Sequence, residues 1–128
     1  MFIFTIRQKL EECPQVDRTE KPLRLLQISD LHFGPPYMEQ VGEAALRMAI
    51  SLHPDAIIIN GDLTQRAKRE QFVAAKQYME RLPPVPQLVI PGNHDVPLYR
   101  LGERLFDPHR LYREIISEEL NPVLRIEG

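Results

Sequence analysis

Three short polar clusters in the sequence carry the atom types that bind divalent metals. They are Asp-Leu-His at residues 30–32, Asn-Gly-Asp at residues 60–62 and Gly-Asn-His-Asp at residues 92–95. Carboxylate, imidazole and amide ligands suit Mn, Fe, Mg or Zn, and do not suit a metal selected by thiolates. Each cluster alone also fits an ordinary turn or helix cap. A metal site is therefore indicated only if the fold brings the three clusters together.

The first two clusters offer complementary ligands. Asp30 and His32 stand at positions i and i+2, so in an extended segment they would point to the same side and could chelate one ion. Asp62 could bridge two ions because a carboxylate has two oxygens with several lone-pair directions. Two ions about 3.5–4 Å apart with a shared oxygen ligand can clamp the attacking and leaving oxygens of a phosphoryl transfer.

The third cluster adds a neutral ligand and a group that can move a proton. Asn93 offers an amide oxygen, and His94 offers a nitrogen that can bind metal or transfer a proton. Gly61 and Gly92 are predicted to adopt the unusual backbone angles that turn these ligands inward.

Each cluster ends a short apolar run, at residues 23–29, 55–60 and 86–90. The runs are near-continuous rather than alternating, which is typical of strands covered on both faces in a parallel sheet. The carboxyl ends of parallel strands lie side by side, and ligands bind at that edge. We therefore expect the three clusters to converge.

Two sets of apolar residues at helical spacing, here called stripes, lie between the runs and predict the order β-α-β-α-β. This order indicates an α/β fold with a parallel sheet and flanking helices. The stripes are Val41, Ala45, Met48 and Leu52, then Phe72, Ala75, Met79 and Leu82. Tyr112, Ile116 and Leu120 suggest a third helix, and residues 122–126 a short strand. Residues 1–22 are an extension, an irregular lead-in or a short extra strand, and residues 23–128 are the domain.

Three stretches resemble the first signature blocks of the calcineurin-like metallophosphoesterases, in particular the bacterial branch that includes cyclic-nucleotide phosphodiesterases. They are ISDLHFG, NGDLT and PGNHD. The resemblance runs from about residue 23 to residue 95, and continues more loosely through VPLYRLGERLFDPHRLYREI. It implies a two-sheet αββα sandwich, of which this chain looks like the N-terminal half.

The resemblance also implies roles at the matching positions. Asp30 and His32 correspond to ligands of a first metal, Asp62 to the carboxylate that bridges two metals, and Asn93 to a ligand of the second. His94 resembles the catalytic histidine, and Asp95 the residue that orients it. The implied reaction is phosphodiester hydrolysis by a metal-bound hydroxide at a dinuclear centre.

The family's later histidine and its closing Gly-His-x-His block have no counterpart in these 128 residues. The second metal would therefore be poorly completed. A truncated, inactive remnant or an interaction module is one alternative, and self-association through the incomplete sheet would follow from a bare sheet face and edge. A nuclease module of a DNA-repair complex is a further alternative.

The remaining candidates have ordinary interpretations. His53 is expected to end the first helix, where a cation suits the helix dipole. His109 and Arg66 are candidate substrate-binding residues, although a surface role fits both. Cys13 has no His or Cys neighbour in sequence, so a catalytic role is not indicated.

Composition narrows the partners and the location. The formal net charge of −2 argues against a positive electrostatic field over the whole protein that would bind nucleic acid or an anionic membrane. The expected substrate is therefore a phosphoester small molecule or a nucleotide. A single cysteine fits a reducing compartment. No apolar run approaches the ~20 residues that cross a bilayer, and the expected location is the cytoplasm.

Overall fold

Four strands form one sheet in the order β1-β2-β3-β4. The computed structural model describes residues 2–7 and 22–126. The strands are β1 (Phe2–Arg7), β2 (Arg24–Ser29), β3 (Ala56–Asn60) and β4 (Gln87–Ile90). The predicted parallel sheet is confirmed in β2, β3 and β4, which are neighbours. β1 pairs antiparallel with β2. Of the three alternatives given for residues 1–22, residues 2–7 therefore form the short extra strand.

Helices occupy both connections between the parallel strands, which gives the predicted β-α-β-α-β order. They are α1 (Glu39–Leu52) and α2 (Arg69–Glu80), and two short helices follow β4, α3 (Leu101–Phe106) and α4 (Arg110–Ile115). Among the described residues, no helix has both the length and the apolar composition needed to cross a bilayer.

Alternate residues of β2 and β3 form the core side of the sheet. Leu26 is paired with Ile57, and Ile28 with Ile59, and all four are at most 1% exposed. The helices bury their apolar residues in the same cluster, chiefly Leu46, Ala49, Phe72, Ala75, Met79, Leu111 and Tyr112. This layer of helices holds the strands rigidly beneath the loops that leave their carboxyl ends.

The opposite face of the sheet is also apolar but less covered. Leu25, Ile58, Leu88 and Ile90 alternate with the core residues along their strands, and each keeps an intermediate exposure. Within the described residues, β4 has β3 as its single neighbour in the sheet. The sheet therefore presents a half-exposed apolar face and a strand edge.

The predicted core stripe is correct for α2 and partly wrong for α1. Phe72, Ala75, Met79 and Leu82 are at most 8% exposed, whereas Val41 is 43% and Met48 is 49% exposed. The buried face of α1 is instead Gly42, Ala45, Leu46 and Ala49. The Tyr78 side chain of α2 reaches this face, and its hydroxyl donates to the Gly42 carbonyl at 3.0 Å.

The end of the chain differs from its prediction. The helix predicted around Tyr112 is α4, and it ends at Ile115. Residues 122–126 form no strand. Pro122 has no N–H to donate to a sheet, and Val123 is 82% exposed. Tyr112 anchors α4 over the sheet because its hydroxyl donates to the Val89 carbonyl at 2.9 Å; burial raises the pKa of this phenol.

Candidate metal centre

The loops that leave β2 and β3 run side by side beyond the ends of the strands. The His32 N–H donates to the Asp62 carbonyl, and the Phe33 N–H to the Leu63 carbonyl, both at 2.9 Å. The Gly61 N–H donates to the Ile90 carbonyl at 3.1 Å, which ties the second loop to the end of β4. These backbone bonds bring the first two polar clusters together and place them beside the third.

Side chains of Asp30, His32 and Asp62 converge at this edge, with one ligand atom from each lying within 4.8 Å of the others. His32 Nε2 is 3.6 Å from Asp30 Oδ1 and 4.0 Å from Asp62 Oδ2. These separations exceed hydrogen-bond length. Two ligand atoms that each lie about 2.1 Å from one ion are themselves about 3–4 Å apart. The spacing therefore fits a divalent cation.

The His32 ring supports this fit because its Nδ1 is buried and has no hydrogen-bond partner. Because Nδ1 makes no hydrogen bond, the ring is not held in one tautomer. The Nε2 lone pair is therefore available to a cation. All three side chains are partly shielded, at 18% to 34% exposure. Partial shielding from water strengthens the attraction between carboxylates and a cation.

The backbone at the cluster explains how the ligands converge. Asp30, His32 and Asp62 all have left-handed backbone angles, with φ of 58°, 49° and 52°. The predicted convergence of Asp30 and His32 agrees with the structure, but the expected cause, an extended segment, is wrong. Asp and His tolerate this region better than most residues, and such angles concentrate at functional sites.

The two glycines act in different ways. Gly61 has the predicted positive φ, 69°, and a Cβ there would lie 2.9 Å from the Gly92 Cα. Gly92 does not have the predicted unusual angle, since its φ is −109°. A Cβ at Gly92 would instead overlap the amide nitrogen and Oδ1 of Asp62. Gly92 is therefore required for the close approach of the second and third loops.

His94 lies beside the cluster and is held at two points. Its N–H donates to Asp62 Oδ1 at 2.9 Å, and its ring Nδ1 is 3.2 Å from the Gln65 carbonyl oxygen. A carbonyl can only accept, so Nδ1 carries the proton and Nε2 is the nitrogen left for chemistry. The ring meets His32 edge to face, with centroids 4.7 Å apart.

The Asp95 carboxylate is held by the second and third loops, and its implied role in orienting His94 stays a prediction. Its carboxylate accepts bonds from the N–H groups of Gly92, Leu63 and Thr64 at 2.8–3.1 Å, and from the Thr64 hydroxyl at 2.9 Å. The partner of the His94 ring is the carbonyl of Gln65. Burial raises the pKa of Asp95, and these bonds oppose that shift. Asp95 therefore joins the third loop to the second.

Thr64 and Gln65 are functional residues that the sequence analysis missed. Thr64 is fully buried, its hydroxyl lies 3.0 Å from the His94 carbonyl, and it accepts from the Ala67 N–H at 3.0 Å. Gln65 acts through a main-chain carbonyl, which any residue type could supply. Only the position of Thr64 and Gln65, directly after Asn-Gly-Asp-Leu, hints at their roles.

Asn93, Arg66 and His109 are the other predicted site residues of the described chain. Asn93 opens the 3-10 turn Asn93–Asp95 and is exposed; its role as a ligand stays a prediction. The Arg66 guanidinium lies 5.7 Å from the centroid of the Tyr99 ring, in a cleft whose lining contains no predicted ligand. His109 precedes α4. Cys13 lies outside the described residues.

His53 ends α1, as predicted, in a left-handed conformation with φ of 47°. Its ring Nδ1 is 2.9 Å from the Ser51 carbonyl, and the residue is exposed. It precedes β3, so it lies at the amino end of the strands, opposite the cluster. His53 is therefore a natural control for experiments on the site.

An α/β domain with candidate metal ligands at the carboxyl edge of its parallel sheet, carried by loops with left-handed backbone, is the class of protein that the fold and the site define. A model of the calcineurin-like phosphoesterase family matches residues 23–125. The chain belongs to that family, whose members are hydrolases. This confirms the resemblance drawn from the three signature blocks.

Two curated relatives match part of the chain. One is a "Transmembrane protein with metallophosphoesterase domain" from Danio rerio, 33% identical over 73 residues, which are 57% of this chain and 17% of the relative. The other is "UDP-2,3-diacylglucosamine pyrophosphatase LpxG" from Chlamydia muridarum, 35% identical over 78 residues, 60% of this chain and 24% of the relative. Neither name specifies a cyclic-nucleotide phosphodiesterase, so that branch stays a prediction.

Proposed function

We propose that the three loops hold a dinuclear divalent-metal centre that hydrolyses a phosphoester, with phosphodiesters as the preferred class. The observation that carries this proposal is the cluster of Asp30, His32 and Asp62 within 4.8 Å, with the His94 ring against it. Family membership supports metal-dependent phosphoester chemistry. The relative from Chlamydia muridarum is named a pyrophosphatase, which is hydrolysis at phosphorus as well.

The ligands divide between two ions. Asp30 and His32 would hold the first, Asn93 the second, and Asp62 would be shared, since Oδ2 faces His32 while Oδ1 accepts from the His94 N–H. Divalent ions such as Mn, Fe, Mg or Zn would supply an activated water and polarise the phosphoryl oxygens. The described residues give the first ion more ligands than the second.

His94, when its ring is protonated at both nitrogens, would donate the Nε2 proton to the leaving oxygen and keep the Nδ1 proton. Its Nδ1–H is engaged by the Gln65 carbonyl at 3.2 Å, which leaves the opposite nitrogen, Nε2, for the substrate. An imidazole held in one orientation is suited to general acid catalysis near neutral pH. Asp95 would contribute indirectly, because it fixes the loop that carries His94.

The test is hydrolysis of bis(p-nitrophenyl) phosphate by the 128-residue chain with added Mn²⁺. We expect weak Mn²⁺ binding and slow, Mn²⁺-dependent release of nitrophenol that Asp62→Ala abolishes. His53→Ala is the matched control, because it removes a histidine at the other end of the strands, and it should leave the rate unchanged. Turnover that survives Asp62→Ala would contradict the assignment of the site.

A second candidate, an interaction module, is favoured by the half-exposed sheet face of Leu25, Ile58, Leu88 and Ile90. Exposed apolar faces and free strand edges promote association, and here the proposed partner is a second copy of the chain. A chain that self-associates and lacks Mn²⁺-dependent hydrolysis would fit this candidate instead.

A further inference from the structure

An apolar cleft opens directly beside the proposed metal ligands. It has a volume of about 260 Å³, and Asp30 and His32 form one side of it. Most of the remaining lining is apolar, contributed by Pro36, Tyr37, Met38 and Val41, with Gln65 on another side. Gln65 also holds the His94 ring through its carbonyl. The cleft therefore borders two of the proposed metal ligands and the residue that holds His94.

The wall formed by Tyr37 is fixed in place. Its ring stacks on Phe33 with centroids 4.4 Å apart and an interplanar angle of 28°. The Phe33 N–H is bonded to the Leu63 carbonyl, so the stack belongs to the same pair of loops that carries the ligands. A Cβ at Gly42 would overlap the Tyr37 hydroxyl. Gly42 therefore makes the space in which this ring lies.

Met38 and Val41 leave apolar surface open at the cleft. Met38 is 63% and Val41 is 43% exposed, although α1 buries a different face in the core. Exposed apolar side chains that stand singly need no explanation, but grouped ones beside a polar site mark binding surfaces. Here both line the same cleft as two proposed metal ligands.

We infer that this cleft receives the apolar substituent of the substrate, so that the preferred phosphoester carries an aryl or short aliphatic group. The inference rests on the proposed function, which places the phosphoryl group at the metal ligands. Pockets for whole drug-sized ligands occupy about 300–1,000 Å³, so 260 Å³ suits part of a substrate. The metal ligands would hold the phosphoryl group, and the apolar wall would select the substituent that this group carries.

Other clefts do not share this connection. One of about 770 Å³ has the opposite side of Tyr37 in its lining together with Glu43 and Arg81. Another of about 600 Å³ contains Arg66, Lys68 and Tyr99. Neither includes Asp30, His32, Asp62 or His94, so neither is placed to select the substituent of a phosphoryl group bound there.

The experiment compares binding of two probes, phenylphosphonate and methylphosphonate, to the 128-residue chain with Mn²⁺, by isothermal titration calorimetry. We expect phenylphosphonate to bind about tenfold more tightly, because its ring is buried against the apolar wall. The double variant Met38→Gln/Val41→Thr should reduce that preference to about twofold and leave the affinity for methylphosphonate unchanged. Both positions are exposed, so the fold should be retained, as circular dichroism would verify.

Met48→Gln is the matched control, since Met48 is a methionine of the same helix that is 49% exposed and does not line the cleft. It should keep the tenfold preference. Equal, Mn²⁺-dependent binding of both phosphonates to the unmodified chain would overturn the inference and leave the proposed function standing, as would a preference that persists in the double variant. Binding that does not depend on Mn²⁺ would overturn both.

Discussion

Replacing Asp95 with alanine is expected to lower the free energy of unfolding by at least about 3 kcal/mol. The carboxylate is 1% exposed and accepts bonds from Gly92, Leu63 and Thr64. Removing it leaves several buried donors without an acceptor, and each unsatisfied group costs about 1–3 kcal/mol. Urea denaturation followed by circular dichroism measures the change directly.

Asp107→Ala is the matched control for this prediction. Asp107 is also an aspartate with a polar partner, since it pairs with Arg113, but 38% of its side chain is exposed. A surface ion pair contributes at most about 1 kcal/mol, so this variant should unfold close to the unmodified chain. Equal losses in the two variants would show that Asp95 does not join the loops as described.

Replacing Gly92 with alanine is expected to weaken Mn²⁺ binding by at least about tenfold, the lower end of the effect when groups that orient a ligand are changed. The added methyl group would overlap the amide nitrogen and Oδ1 of Asp62. Asp62 would have to move, and with it the carboxylate that both ions are proposed to share. Mn²⁺ titration monitored by electron paramagnetic resonance reports the affinity.

Gly102→Ala provides the comparison, because a Cβ at Gly102 would meet no atom within 4 Å. It should leave Mn²⁺ affinity unchanged. If Gly92→Ala bound Mn²⁺ as tightly as Gly102→Ala, the close approach of the two loops would have no part in forming the metal site.

The parallel sheet and its ligand-bearing edge could be predicted because both follow from local patterns. Runs such as residues 56–59 are apolar at every position and end in polar residues, which fixes both the strand and the end at which ligands gather. The α2 stripe was equally clear, since Phe72 and Met79 are large apolar residues separated by helical spacing.

The face that α1 buries could not be predicted from apolar content. Val41 and Met48 are larger and more apolar than Gly42 and Ala45, yet the small residues face inward. The Tyr37 side chain fills the space beside Gly42, because a Cβ there would overlap its hydroxyl, and Tyr78 of α2 donates to the Gly42 carbonyl. Such packing depends on residues outside α1 and is absent from any pattern within α1 itself.

The contacts and backbone angles within the site could not be predicted, for a similar reason. Asp95 and Gln65 act through contacts with residues about thirty positions away in sequence, and Gln65 uses its backbone. The left-handed angles at Asp30 and His32 also depend on the neighbouring loop. The candidate ligands could therefore be predicted from the sequence, while the groups that hold His94 became visible only in three dimensions.

The most direct test of the proposed metal centre uses the four histidines of the chain as reporters. Substoichiometric Mn²⁺ is added to chain labelled with ¹⁵N, and the imidazole signals are followed by NMR, since paramagnetic broadening falls steeply with distance from the ion. We predict that the signals of His32 and His94 broaden first, while that of His53, at the opposite end of the strands, remains sharp. Broadening that begins at His53 or His109, or that affects all four equally, would contradict a metal centre at this edge of the sheet.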